Sequence, residues 1–121
     1  MILVGIDIGK NQHTFSIVDM NTGEILSNPS LFNNNQEGFL FLIKKLNMYS
    51  KSDLLIGMED TGHYHFALLK YLLDIRYTVA LINPTTTDLT RKLQGGITKN
   101  DPLDSLTICD AVSYTHLRAH E

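Results

Sequence analysis

The sequence predicts one α/β domain built on a mixed β-sheet, and three observations predict it. Short apolar, β-branched runs alternate with stretches of helical periodicity, as they do when strands and covering helices take turns along a chain. The earliest runs are joined instead by a tight turn, a connection open only to antiparallel neighbours. Finally, 121 residues with 43% apolar and 19% charged side chains are enough for one hydrophobic core and too few for two ordinary domains.

Taken in order, Ile2-Leu3-Val4-Gly5-Ile6-Asp7-Ile8 reads as a buried strand, apolar except for one carboxylate. Residues 13–20 alternate, with Phe15, Ile17 and Val18 set against Thr14, Ser16 and Asp19, the pattern of a half-solvated antiparallel strand. Asn21-Thr22-Gly23 is a hairpin turn, and Glu24-Ile25-Leu26-Ser27 returns as a third strand. Asn33-Asn34-Asn35 offers a helix cap, after which Phe39, Leu42, Ile43 and Leu46 recur at helical spacing as far as Tyr49. Ser50-Lys51-Ser52 is a loop, and Leu54-Leu55-Ile56-Gly57-Met58-Glu59 is a fourth, central strand. Thr61-Gly62 breaks it; a helix with Leu68, Leu69, Leu72 and Leu73 on one face follows, then a fifth strand from Thr78 to Ile82. Asn83-Pro84 opens a further helix that Gly95-Gly96 closes, and Pro102 starts a last one carrying Leu103, Leu106 and Ile108.

Three antiparallel strands followed by parallel strands with helical crossovers make the ribonuclease-H-like arrangement. The expectation is an α/β, five-stranded mixed sheet with helices on both faces.

No apolar stretch approaches the length of a membrane span and no basic leader precedes the first strand. A cytoplasmic protein without membrane anchor is therefore expected. The single cysteine, Cys109, excludes an internal disulfide and lies on an apolar helical face, where a small core residue belongs.

The chemistry concentrates in acids. A carboxylate inside a buried strand is costly unless something cationic holds it, and Asp7 sits in such a strand. In the expected sheet the first and fourth strands are central neighbours. Asp7 and Glu59 can then face one spot at the C-terminal strand edge, where open α/β sheets place ligands. Asp101 and Asp104, three residues apart at a helix start, share a face and can reach the same place. Four such carboxylates form an all-oxygen shell suited to two Mg²⁺ or Mn²⁺ ions. A net charge of −3 argues against a nucleic-acid partner, but four of the negative charges belong to this set, and ions neutralising them leave the surface slightly positive.

Plainer explanations compete at each position. Asp101 before Pro102, with Asp104 behind, also reads as a helix cap followed by a first-turn acid. Glu59 and Asp60 also suit a strand end. The weight rests on the four acids together. Lys10, Arg91, Lys92 and Lys99 flank the expected site and can grip backbone phosphates, though a solvated face explains the Arg91–Lys99 set equally well. His63 and His65, two apart, point to different helix faces and make no paired metal site. Tyr64 and Phe66 are expected to pack.

Four motifs in this order carry a resemblance: Gly5-Ile6-Asp7-Ile8-Gly9-Lys10, Gly57-Met58-Glu59-Asp60-Thr61-Gly62, Asn83-Pro84, and Lys99-Asn100-Asp101-Pro102-Leu103-Asp104. They resemble the N-terminal domain of the DEDD-type insertion-sequence transposases, which is similar to the RuvC resolvase. The resemblance covers nearly all of residues 1–112. It implies DNA cleavage and strand transfer by a metal-dependent catalytic domain, with the acidic tetrad on Asp7, Glu59, Asp101 and Asp104. It also implies a DNA partner, a structured guide RNA, and a homo-oligomer in the full-length protein.

Members of that family carry a second, C-terminal domain with an attacking serine, and neither Ser105 nor Ser113 stands at a matching position. Residues 113–121 resemble translated adapter or junction sequence, so the domain is expected over 1–112, incomplete at its C-terminus and inactive alone. Two rivals stand beside this. Asp7-Ile8-Gly9 partly matches the phosphate hairpin of the ATP-binding sugar-kinase and actin-like class. A non-catalytic, nucleic-acid-binding transposase remnant is the other.

Overall fold

Strand pairing decides which side chains meet, and here it follows the alternation of the sequence. The computed structural model describes residues 1–59, 62–82 and 104–119, by backbone alone from 114 onward. Its strands are β1 (Ile2–Asp7), β2 (Gln12–Asp19), β3 (Ile25–Asn33), β4 (Leu54–Glu59) and β5 (Thr78–Ile82). They form one sheet in the order β3-β2-β1-β4-β5. β1, β2 and β3 pair antiparallel, whereas β4 runs parallel to both β1 and β5. The expected mixed five-stranded sheet is present, with β1 and β4 at its centre.

Both faces are covered, which is why β1 and β4 are apolar on both sides. Val4, Ile6, Ile56 and Met58 turn to one face and join Phe39, Leu42 and Leu46 of helix α1 (Gln36–Leu46) and Leu68 and Leu72 of helix α2 (Phe66–Asp74). Leu3 and Leu55 turn to the other and meet Ile108, Cys109, Ala111 and Val112 of helix α3 (Ser105–Ala119). Asn35 caps α1 as expected, its side chain accepting from the Gly38 amide at 2.8 Å. Cys109 is buried, and burial pushes its thiol up to about 12, so it stays protonated.

Several boundaries differ from the sequence expectation. β3 does not stop at Ser27 but continues to Asn33. The ladder slips between Phe15–Ser30 and Ile17–Ser27, so Asn28 and Pro29 are taken up in a bulge. β3 is an edge strand, which tolerates a residue without an N–H. Leu73 lies outside the buried stripe of α2, 49% exposed. The described part of the last helix begins at Ser105 rather than Pro102. The helix expected between Asn83 and Gly95, together with Asp60, Arg91, Lys92, Lys99 and Asp101, lies outside the described residues. No helix among the described residues is long and apolar enough to cross a membrane.

Candidate metal centre at the strand edge

The period of two in a strand places Leu3, Gly5 and Asp7 on one face of β1 and Leu55, Gly57 and Glu59 on the same face of β4. Gly5 pairs with Gly57 in the parallel register. Two residues further on, Asp7 and Glu59 end their strands side by side, both toward α3. The glycine pair is what lets α3 come close. A Cβ on Gly5 would sit 2.8 Å from the Cys109 Sγ and inside contact with the Ser105 carbonyl oxygen, and one on Gly57 would overlap Val112. The helix therefore beds into a trough without side chains, with its N-terminus toward the strand-edge acids.

That N-terminus delivers Asp104. Its Oδ1 accepts from the Thr107 amide at 2.7 Å, and its carbonyl accepts from the Ile108 amide at 3.1 Å. Asp104 is thus the capping residue of α3, not the first-turn acid expected from a helix starting at Pro102. The capping bond uses one carboxylate oxygen and leaves the group at the helix mouth, exposed to solvent.

The electrostatics report the convergence. Burial at the strand end, with smaller contributions from the charges of Asp104 and Glu59, raises Asp7 to about 6. Three acids from β1, β4 and α3 therefore concentrate negative charge in one place, and among the described residues Asp7 has no ion pair. The donors are all oxygen, the donor chemistry that a hard divalent cation takes. Among the described residues no group of three acid, histidine or cysteine side chains is drawn together tightly enough to enclose an ion by itself. Asp101, the fourth acid, is outside them.

Around this point the loops are tied by residues the sequence did not mark as functional. His13 is buried, and its Nδ1 accepts from the Gly9 amide at 3.1 Å. The amide of the Asp7-Ile8-Gly9 turn is thus engaged within the fold rather than turned toward a phosphate. The Asn34 side chain donates to the carbonyls of Lys10 at 3.1 Å and Tyr64 at 3.4 Å, joining the loop after β1 to the turn after β4. Lys10 is exposed on that first loop. Of the aromatic cluster after Glu59, Tyr64 and Phe66 are 39% and 58% exposed while His65 is buried. The packing expected of the two larger rings is therefore corrected, because helix α2 begins only at Phe66 and leaves both outside its apolar stripe.

Comparison with known proteins adds three findings. A family model of DEDD transposases matches residues 4–121. The pilin gene-inverting proteins of Moraxella lacunata and Moraxella bovis are each 30% identical over 107 residues, which cover 87% of this chain and 32% of theirs. The chain therefore spans about a third of the length of those curated relatives. In three dimensions, Thermus thermophilus RuvC in complex with a Holliday junction substrate matches with a TM-score of 0.65 at 14% identity, over 97% of this chain and 96% of that one. The fowlpox virus Holliday junction resolvase matches over the full length of both chains with a TM-score of 0.54, also at 14% identity. These two likenesses establish the ribonuclease-H-like fold.

Proposed function

Since the chain belongs to the DEDD transposase family, we propose that it is the N-terminal catalytic part of a DNA transposase or recombinase that cleaves and transfers strands with divalent metal. The observation that carries this is Asp7: a half-buried carboxylate whose proton affinity is raised by burial and by two acids from other elements. A fold optimised only for stability would not gather like charges there.

In this reading Asp7, Glu59 and Asp104, joined by Asp101, hold two ions, Mg²⁺ or Mn²⁺. When bound, such ions polarise a scissile phosphate and activate an attacking oxygen. The chain's own contributions are geometric and electrostatic. Asp7 and Glu59 stand on adjacent central strands, which fix their spacing. Asp104 brings a third carboxylate from the helix mouth, and above about pH 6 Asp7 is ionised and could hold a cation. Lys10, with Arg91, Lys92 and Lys99, grips backbone phosphates and sets the strand's register without reading sequence.

The pilin gene-inverting relatives support DNA rearrangement as the reaction, and the solved resolvase bound to a Holliday junction supports branched DNA as a substrate class. A guide RNA, homo-oligomerisation and a cytoplasmic setting belong to the same proposal, as does a domain limited to 1–112. The test is a Mn²⁺ titration of the chain by calorimetry, paired with cleavage of a four-way DNA junction by a full-length protein carrying this domain. Saturable Mn²⁺ binding abolished by Asp7→Asn, with junction cleavage lost in the same variant, is expected. Metal binding with no cleavage would leave a non-catalytic remnant, and absence of both would remove the proposal.

A further inference from the structure

Among the described residues, the sheet face beneath α3 carries one fully buried polar side chain. Ser16 of β2 pairs across the ladder with Gly5 and so turns to the same face as Asp7. It is fully buried, and so is Ser105, the first residue of α3. Their hydroxyls hydrogen-bond to each other on the face whose apolar cluster includes Leu3, Ile108, Cys109 and Val112. Asp104, not Ser105, caps the helix, which leaves the Ser105 hydroxyl to reach across to the sheet.

We infer that the Ser16–Ser105 pair is a positioning device that fixes the register of α3 on the sheet and so places Asp104 beside Asp7; its link to metal rests on the proposed function. Apolar burial is non-directional and by itself names no single partner for each residue of a helix on a sheet. A buried hydroxyl cannot slide freely, because leaving its partner costs the desolvation of both groups. A slip of one turn moves the helix by about 5.4 Å, which carries the capping carboxylate away from Asp7. Two alanines would fill nearly the same space with no polar atom to satisfy, so the pair adds little stability over an apolar substitute. Its distinct contribution is register. Asp7 and Glu59 need no such device, since the backbone ladder of β1 and β4 already aligns them. Asp104 is the described acid whose place depends on side-chain contacts alone.

The test compares Ser16→Ala, Ser105→Ala and the double variant by urea unfolding, Mn²⁺ titration, and nuclear Overhauser contacts between the Gly5 Hα and Cys109. Each single variant is expected to lose stability, because one hydroxyl stays buried without its partner. The double variant recovers most of that stability, yet its Mn²⁺ affinity stays about tenfold weaker, the scale seen when groups orienting metal ligands are removed. A double variant that regains stability and also binds Mn²⁺ like the parent would overturn the inference. If the parent binds no Mn²⁺, the functional proposal fails, and the register claim is then judged on the Gly5–Cys109 contacts. Weakened contacts in the refolded double variant support it and unchanged contacts refute it. Should the alanine variants not fold, Ser105→Cys, which keeps the volume with a weaker donor, is measured in the same way.

Discussion

Replacing Asp7 by asparagine removes a charge while keeping shape, and it should make the protein more stable as it makes the site useless. Asp7 holds its proton up to about pH 6 in the folded chain against an ordinary value of 3.8. At about 1.4 kcal/mol per pH unit, this difference corresponds to roughly 3 kcal/mol of destabilisation when the group is ionised. Asp7 is only half-buried, and solvent screening reduces the figure to about 1–2 kcal/mol. The sign follows from the raised value. Between pH 4 and 6 the folded state keeps the Asp7 proton and the unfolded state loses it, so stability falls as pH rises through that window and the penalty is constant above it. Urea unfolding at pH 7.5 should therefore show Asp7→Asn more stable than the parent by about 1–2 kcal/mol, with a melting temperature higher by several degrees. At pH 3.5 the two should be nearly equal. A variant that is less stable at pH 7.5, or equally stabilised at both pH values, would refute the idea that like charge is stored at this strand edge.

Other expectations follow from the same geometry. Asp104→Asn should keep the cap of α3, whereas Asp104→Ala should lose it at a cost of about 1 kcal/mol; both should weaken Mn²⁺ binding, so calorimetry beside thermal unfolding separates the two roles of this residue. Gly5→Ala meets the Ser105 backbone and Gly57→Ala a methyl of the Val112 side chain, which can yield more readily than helix backbone, so urea unfolding should show Gly5→Ala as the worse, with overpacking costs of about 1–3 kcal/mol or more. Mn²⁺ affinity should fall as pH drops through 6, because ion binding must then expel the Asp7 proton; a pH-independent affinity would be inconsistent with Asp7 as a ligand. Burial lowers the His13 value, so its contribution to stability is present above pH 6.5 and is lost as pH falls below it. His13→Gln should remove that acid-side loss, measured as a flatter dependence of stability on pH below 6.5.

Most of the architecture was legible because strands declare themselves by period. Val4 and Ile6 against Leu3 and Gly5 already announce a strand buried on both faces, and the β4 and β5 limits agree with the structure to the residue. What failed did so for local reasons. Asn28-Pro29 looks like a stop, yet an edge strand can bulge past it. Pro102 looks like a helix start, yet the described cap is Asp104, whose side chain competes for the same role. Of the proposed site, Asp7, Glu59 and Asp104 were marked by the sequence, and in the structure Asp7 feels the charge of the other two. The seating of α3 was not legible. Gly5 and Gly57 read as ordinary small residues until the register pairs them, and Ser16 reads as a solvent-side position until α3 covers it. Nothing in the local pattern tells a serine which helix will lie above it.

In the proposed site, carboxylates distant in sequence share a divalent ion at the C-terminal edge of β1 and β4. Anomalous diffraction from a crystal soaked in Mn²⁺ tests this most directly. A manganese peak is expected within coordination distance of carboxylate oxygens from Asp7, Glu59 and Asp104, absent in the Asp7→Asn variant. A peak elsewhere on the molecule, or none between these acids at saturating Mn²⁺, would contradict it.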